Sequence, residues 1–261
     1  MTFPQALLLF AAALLAGGLN SVAGGGSFIS FPTLVFTGVP SIQANATNTI
    51  ALWPGLVASA GAYRKEVASQ RARLLLLAPI SLVGGVLGAL LLLHTPPATF
   101  NLLIPFLLLL ATLLFAFGGK LAAALRKRLG TKHSSSRLMT AGIVVLQFAL
   151  AIYGGFFGGG LGILMLATLA LMGMENLHEM NGVKTVLAAS INGVAVITFI
   201  IAGAVFWSQA LVMIAGSIIG GYGGASLARR LPPRGVRIFV IAVGLAMTVL
   251  FVVRLFVSQP Q

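Results

Sequence analysis

The chain lacks cysteine and aspartate, and its acids number three: Glu66, Glu175 and Glu179. The absence of cysteine excludes disulfides, thiol nucleophiles and thiolate metal sites. Without aspartate no serine–histidine–aspartate set forms. Three glutamates near loops leave little for paired-carboxylate chemistry. Charge as a whole is scarce, at 7% of residues against roughly 25% in soluble proteins. No G-x-x-x-x-G-K-[ST] phosphate loop occurs. His94, His133 and His178 have no neighbours at metal-ligand spacing, so no metal or cofactor is expected and no enzyme is read.

What is abundant is apolar. Hydrophobic residues make up 59% of the 261, and mean hydropathy is +1.07. Apolar runs near the ~20 residues of a bilayer-crossing helix recur from end to end. The fold class expected is an all-α polytopic membrane protein, one membrane domain over 1–261. The net charge of +13 is clustered between apolar runs. It therefore reads as loops beside anionic lipid, not as a nucleic-acid surface. The first run has no basic stretch before it and reads as mature membrane helix, not a cleaved signal peptide.

The runs fall at 5–22, 27–37, 42–62, 72–93, 99–117, 138–157, 161–171, 182–202, 207–228 and 235–257. Those starting near 42, 72, 99, 182, 207 and 235 are long enough to span alone. The other four form two pairs, each a long helix, a glycine triplet and a short helix. The triplets are Gly24-Gly25-Gly26 and Gly158-Gly159-Gly160. Glycine triplets favour breaks; close helix packing is the alternative reading. Trp53-Pro54 falls within the run at 42, and Trp207 reads as an interfacial anchor.

The halves match each other. Asn45-Ala46-Thr47-Asn48-Thr49 lines up with Asn181-Gly182-Val183-Lys184-Thr185. Gly84, Gly85 and Gly88 line up with Gly220, Gly221 and Gly224 at the same offset, and Pro96-Pro97 with Pro232-Pro233. This gives repeat one at 1–119, a basic linker at 120–137 and repeat two at 138–261. The basic loops are 64–73, 120–137 and 229–237. If each broken pair crossed once, the third would lie opposite the first. If each pair is a hairpin, re-entrant or nearly spanning, all three share the cytoplasmic face, as the positive-inside bias requires. The expectation is therefore two inverted repeats, each a glycine-broken hairpin plus three spanning helices, the plan of many secondary transporters.

Two short helices starting after the triplets would bring unpaired N–H groups and positive dipole ends together, an anion site. Ser27 either caps its helix or donates to the ligand. Asn45, Asn48, Asn181 and Lys184 pair at i, i+3 on one helical face each. Lys184, the only lysine inside an expected membrane helix, either meets an anionic substrate, snorkels, or pairs with Glu179 or Glu175. Asn20 and Asn192 are candidates to line the path. Gln147 reads equally as an interhelical bond, and Asn101 is one more polar residue in an apolar run.

At these residues the sequence resembles the sulfite exporter TauE/SafE-like transporters. The resemblance rests on Asn20-Ser-Val-Ala-Gly-Gly-Gly-Ser27 with Pro32, and Asn45-Ala-Thr-Asn-Thr49. In the second half it rests on Gly154-Gly-Phe-Phe-Gly-Gly-Gly-Leu-Gly162 and Asn181-Gly-Val-Lys-Thr185. It covers nearly the whole chain. It implies a bacterial or archaeal inner-membrane permease for sulfite, sulfonates or other small anions. The glycine segments and the Asn/Lys positions would line the substrate path: Asn20, Gly24, Gly25, Gly26, Ser27, Asn45, Asn48, Gly158, Gly159, Gly160, Asn181, Lys184 and Asn192. The expected partners are a small anion and the lipid bilayer. Coupling to protons or another ion and a homodimer stay open. An anion channel and a non-transporting scaffold subunit are the rival readings.

Overall fold

The apolar runs become helices, and the glycine triplets stop them. The computed structural model describes residues 1–22, 25–129, 137–228 and 233–257. These contain eleven helices and no strand. They are α1 (Phe3–Val22), α2 (Ser27–Phe36), α3 (Ser41–Ala62), α4 (Arg64–Ser69), α5 (Arg71–His94), α6 (Pro97–Leu129), α7 (Arg137–Phe156), α8 (Leu161–Leu171), α9 (Leu177–Ile201), α10 (Trp207–Ala228) and α11 (Pro233–Val257).

Three elements differ from the sequence reading. Helix α6 continues past Phe117 into the basic stretch assigned to a linker, because Leu121-Ala-Ala-Ala-Leu125 is strongly helix-forming and Arg126, Lys127 and Arg128 suit a helix C-terminus. Helix α9 starts at Leu177 rather than Gly182. Asn176 caps it, accepting from the His178 and Glu179 backbone N–H groups, and Glu179 sits in its first turn. The short α4 lies in a loop with no apolar run to announce it.

Both interruptions need glycine. Gly25 has φ +101°, Gly158 +75° and Gly160 +71°, a region that side chains with a Cβ rarely enter. Gly24 lies outside the described residues. After the first break the chain doubles back. Gly26 packs against Ala16, where a Cβ would overlap the Ala16 carbonyl oxygen. At the far end, Gln5 Nε2 comes to 3.5 Å from the Thr37 carbonyl oxygen. The end of α2 thus returns to the start of α1, a hairpin. At the second break the Leu161 side chain lies against Gly154.

Helices α3 and α9 cross antiparallel in the middle. Tyr63, just past α3, lies beside Gly182 near the start of α9. Trp53 Nε1 donates to the Ala189 carbonyl at 2.9 Å. The Phe206 N–H, beyond the end of α9, donates to Thr47 Oγ1 at 3.0 Å. Around them α1 packs on α10, and α5 on α7. Both pairs run parallel: Gly216 and Gly220 meet Phe10 and Leu14 in order, and Gly84 and Gly88 meet Phe148 and Ile152 in order. Small residues bring these backbones together, as membrane helix packing requires.

The outside is apolar. Leu75, Val83 and Leu91 on α5, Phe106 and Leu113 on α6, and Val249, Val253 and Phe256 on α11 are exposed. Polar groups turn inward: Asn45, Thr47, Asn48, Ser81, Gln147 and Ser217 are buried. This is the reverse of a soluble surface and marks a multi-pass membrane protein. Among the described residues, five helices are long and apolar enough to cross a membrane: Phe3–Asn20, Arg71–His94, Pro97–Phe117, His178–Ile201 and Ile238–Phe256. The runs starting at 42 and 207, expected to span alone, are not among the five. In α3 the reason is its load of buried polar residues, which serve the interior.

Replacing Gly220 with Leu should force α10 off the Leu14 backbone and destabilise the protein by about 1–3 kcal/mol. Gly223→Ala on the same helix, where nothing lies within 4 Å of the added carbon, should not lower the melting temperature of the purified protein and should raise it slightly through helix propensity.

Candidate functional site

The two breaks and the α3–α9 crossing enclose one cavity of about 110 Å³, space for several waters or one small solute. Asn20, Gly25 and Ser27 line it from the first break, and Gly158, Gly160 and Gly162 from the second. Helix α3 contributes Asn48, Leu52 and Leu56, and α9 contributes Lys184, Ala188 and Asn192, each an i, i+4, i+8 stripe on one face. Thr49, Tyr63, Asn181 and Thr185 complete the polar lining.

At the first break, Asn20 Oδ1 accepts from the Gly26 N–H at 2.8 Å, and its amide N–H₂ has no hydrogen-bond partner among the described residues. Asn48 Nδ2 donates to Ser27 Oγ at 3.3 Å, and Ser30 Oγ lies 2.5 Å from Asn48 Oδ1. Ser27 is not the cap. Gly26 holds that position, and no side chain caps the helix. Since Ser27 Oγ accepts from Asn48, its own hydrogen is available to the cavity.

At the second break, the Phe157 and Gly158 N–H groups donate to the Tyr153 carbonyl at 2.9 and 3.1 Å. The Tyr153 hydroxyl donates to the Gly159 carbonyl at 2.6 Å. Each break is therefore braced by a side chain of the helix before it. Helix α8 begins at left-handed Gly160 with no side-chain cap. The Leu161 N–H donates to the Gly158 carbonyl at 3.3 Å, and the positive end of the helix dipole lies beside the cavity.

Lys184 Nζ donates to Asn181 Oδ1 at 2.9 Å, and its stem rests on Gly162. Among the described residues no carboxylate pairs with it. Glu179 instead accepts from Gln70 Nε2 at 2.6 Å. Lys184 thus turns its remaining N–H bonds to the cavity. The Thr49 and Thr185 hydroxyls donate to the Asn45 and Asn181 carbonyls at 2.9 and 2.7 Å, the same local geometry in each half.

Three of the sequence candidates in the described residues do not line the cavity. Asn45 Nδ2 donates to the Phe156 carbonyl at 2.9 Å, fastening α3 to the end of α7. Gly26 and Gly159 shape the breaks from behind. Asn20, Gly25, Ser27, Asn48, Gly158, Gly160, Asn181, Lys184 and Asn192 all reach the cavity. Gln147 Nε2 donates to Ser81 Oγ at 2.8 Å, an interhelical bond. The sequence reading missed Tyr153, Ser30 and Tyr63. Tyr153 stands one turn ahead of the glycine cluster, and Ser30 one turn after Ser27, which are the only signals they give. No group of three His, Asp or Glu that could hold a metal occurs among the described residues.

The sequence matches the family described as "Sulfite exporter TauE/SafE" over residues 9–251. A "Probable membrane transporter protein" of Haemophilus influenzae is 33% identical over 245 residues, covering 92% of each chain. The "Probable membrane transporter protein ORF9" of a Sinorhizobium species is 29% identical, over 95% of this chain and 93% of its own. The "Probable membrane transporter protein YfcA" of Escherichia coli K12 is 30% identical, over 92% and 87%. No solved structure matches the chain significantly.

Tyr153→Phe should leave the Gly159 carbonyl without its partner and lower stability by about 1 kcal/mol. The check is the melting temperature of the purified protein; an unchanged value would mean that the hydroxyl does not brace the break.

Proposed function

We propose that the chain, which belongs to the sulfite exporter TauE/SafE family, is a secondary transporter that exports a small anion, sulfite or an organosulfonate. One observation carries the reading: the uncapped starts of α2 and α8 meet in one cavity with a lysine that has no carboxylate partner among the described residues. Lys184, the α8 dipole, the Ser27 hydroxyl and the Asn20 amide all offer hydrogen to a ligand. Oxyanions carry acceptors and negative charge, so donors are what they need. A cation would meet no carboxylate in the lining.

The helix pairings support two inverted repeats. Exchange α1 with α7, α2 with α8, α3 with α9, α5 with α10, and α6 with α11. Then α1–α10 becomes α7–α5, α3–α10 becomes α9–α5, and α6–α8 becomes α11–α2, and all of these pairs are in contact. The equivalent helices α3 and α9 run antiparallel, which suits a two-fold axis in the membrane plane and not one along its normal. The boundaries proposed are 1–119 and 138–261, with 120–137 between. Helix α4 has no partner in the second half.

The helix directions also support a shared end for the basic stretches. Parallel packing of α5 with α7 starts Arg71 and Arg137 at one end; α9 starts at that end, beside Tyr63 and Glu66, and α10 returns to it from the far end of α9. That end is the cytoplasmic one by the positive-inside bias. The cavity runs from Asn48 and Asn192 in the middle stretches of α3 and α9 to Tyr63 at the end of α3, so it opens toward the cytoplasm. Rocking one repeat against the other would turn it outward.

In proteoliposomes, sulfite flux should fall at least about tenfold in Lys184→Met, the loss of one charge-assisted contact. Undiminished flux would remove the lysine from the mechanism. Single cysteines at positions 64, 126 and 234 should all react from the cytoplasmic side; labelling of any one from outside would break the inverted arrangement.

A further inference from the structure

We infer that Asn192 makes this site select an elongated organic anion that carries its own hydrogen-bond donor at the end away from its acid group. The inference rests on the anion reading above and narrows it away from bare sulfite.

Asn192 differs in polarity from the groups that offer hydrogen to the cavity. Its Nδ2 donates to the Ala188 carbonyl at 2.8 Å. The reverse orientation would set two oxygens against each other, so the amide has one direction. Its Oδ1 has no hydrogen-bond partner among the described residues. No buried side-chain polar atom there lacks a partner, so Oδ1 is open, and Asn192 lines the cavity. It is a bare acceptor in a cavity whose other polar side chains offer hydrogen.

Lys184 and Asn192 are separated by about 12 Å of helix rise, and Lys184 leans toward Asn181, away from Asn192. A ligand touching both is therefore long. Between them lie Ala188 on α9 and Leu52 and Leu56 opposite, an apolar stretch suited to a short carbon chain. An acid group at Lys184 then leaves an O–H or N–H donor for Asn192. A ligand without that donor expels the water on Oδ1 and puts nothing in its place, which costs affinity. At the repeat-equivalent position the chain has Leu56, so the acceptor is a feature of one half alone.

The test measures calorimetric binding of 4-hydroxy-1-butanesulfonate and 1-pentanesulfonate, similar in length and long enough to reach from Lys184 to Asn192, to the protein in lipid nanodiscs. The hydroxylated anion should bind about tenfold tighter or more. Asn192→Leu should bring the two affinities together while pentanesulfonate binding is kept. Asn192→Ala, which adds no bulk, should do the same and guards against misfolding of the first variant. A wild-type ratio near one, a ratio that survives both substitutions, or sulfite binding without either sulfonate would overturn the proposal. Lys184→Met should lose both sulfonates. If it binds them as wild type does, the anion reading fails, whatever the ratio at Asn192.

Discussion

Two stretches of unwound backbone inside an apolar bundle set the terms for the rest of the structure. Hydrocarbon offers no partners to free amides and carbonyls, so such stretches persist only inside protein or beside water. Here both conditions are met. Asn20 takes the Gly26 N–H, Tyr153 the Gly159 carbonyl, and Asn45 the Phe156 carbonyl at the end of α7. The positive end of the α8 dipole and the side chains of Ser27 and Asn20 face a cavity. Stability and binding are two uses of one set of backbone groups.

The same constraint explains the polar load of α3 and α9. A helix carrying Gln43, Asn45, Thr47, Asn48 and Thr49 is poorly suited to lipid, yet Asn45, Thr47, Asn48 and Thr49 each have an interior task. Asn48 joins Ser27 to Ser30, and Thr47 takes the Phe206 N–H. The helices that surround the pair carry the lipid face and meet through glycine. This division puts uniform apolar helices outside and irregular ones inside.

Much of this was legible in the sequence because it is written in composition and spacing. Runs of apolar residues gave the helices to within a few residues, and φ-positive glycines stand where the triplets are. Lys184, Asn48 and Asn192 were legible as polar residues within apolar runs, with snorkelling or a pair with Glu179 or Glu175 left open for Lys184. What was not legible depends on three-dimensional partners. Asn45 looks like Asn48 in sequence, but it faces the end of α7 instead of the cavity. Tyr153 is one aromatic among many until its hydroxyl is seen on the Gly159 carbonyl. Helix α6 outran its apolar stretch because helix propensity continues where hydropathy stops, and α4 carries no periodic signal at all.

The central claim is that the two breaks offer their free donors to one anion at one place. It is tested most directly by locating a heavy oxyanion in an experimental structure. Crystals or lipid-embedded particles of the protein with selenate should show density between Gly25–Ser27 and Gly158–Gly162, within hydrogen-bond reach of Lys184. Density elsewhere with that cavity holding only water, or continuous helix through either glycine cluster, would contradict it.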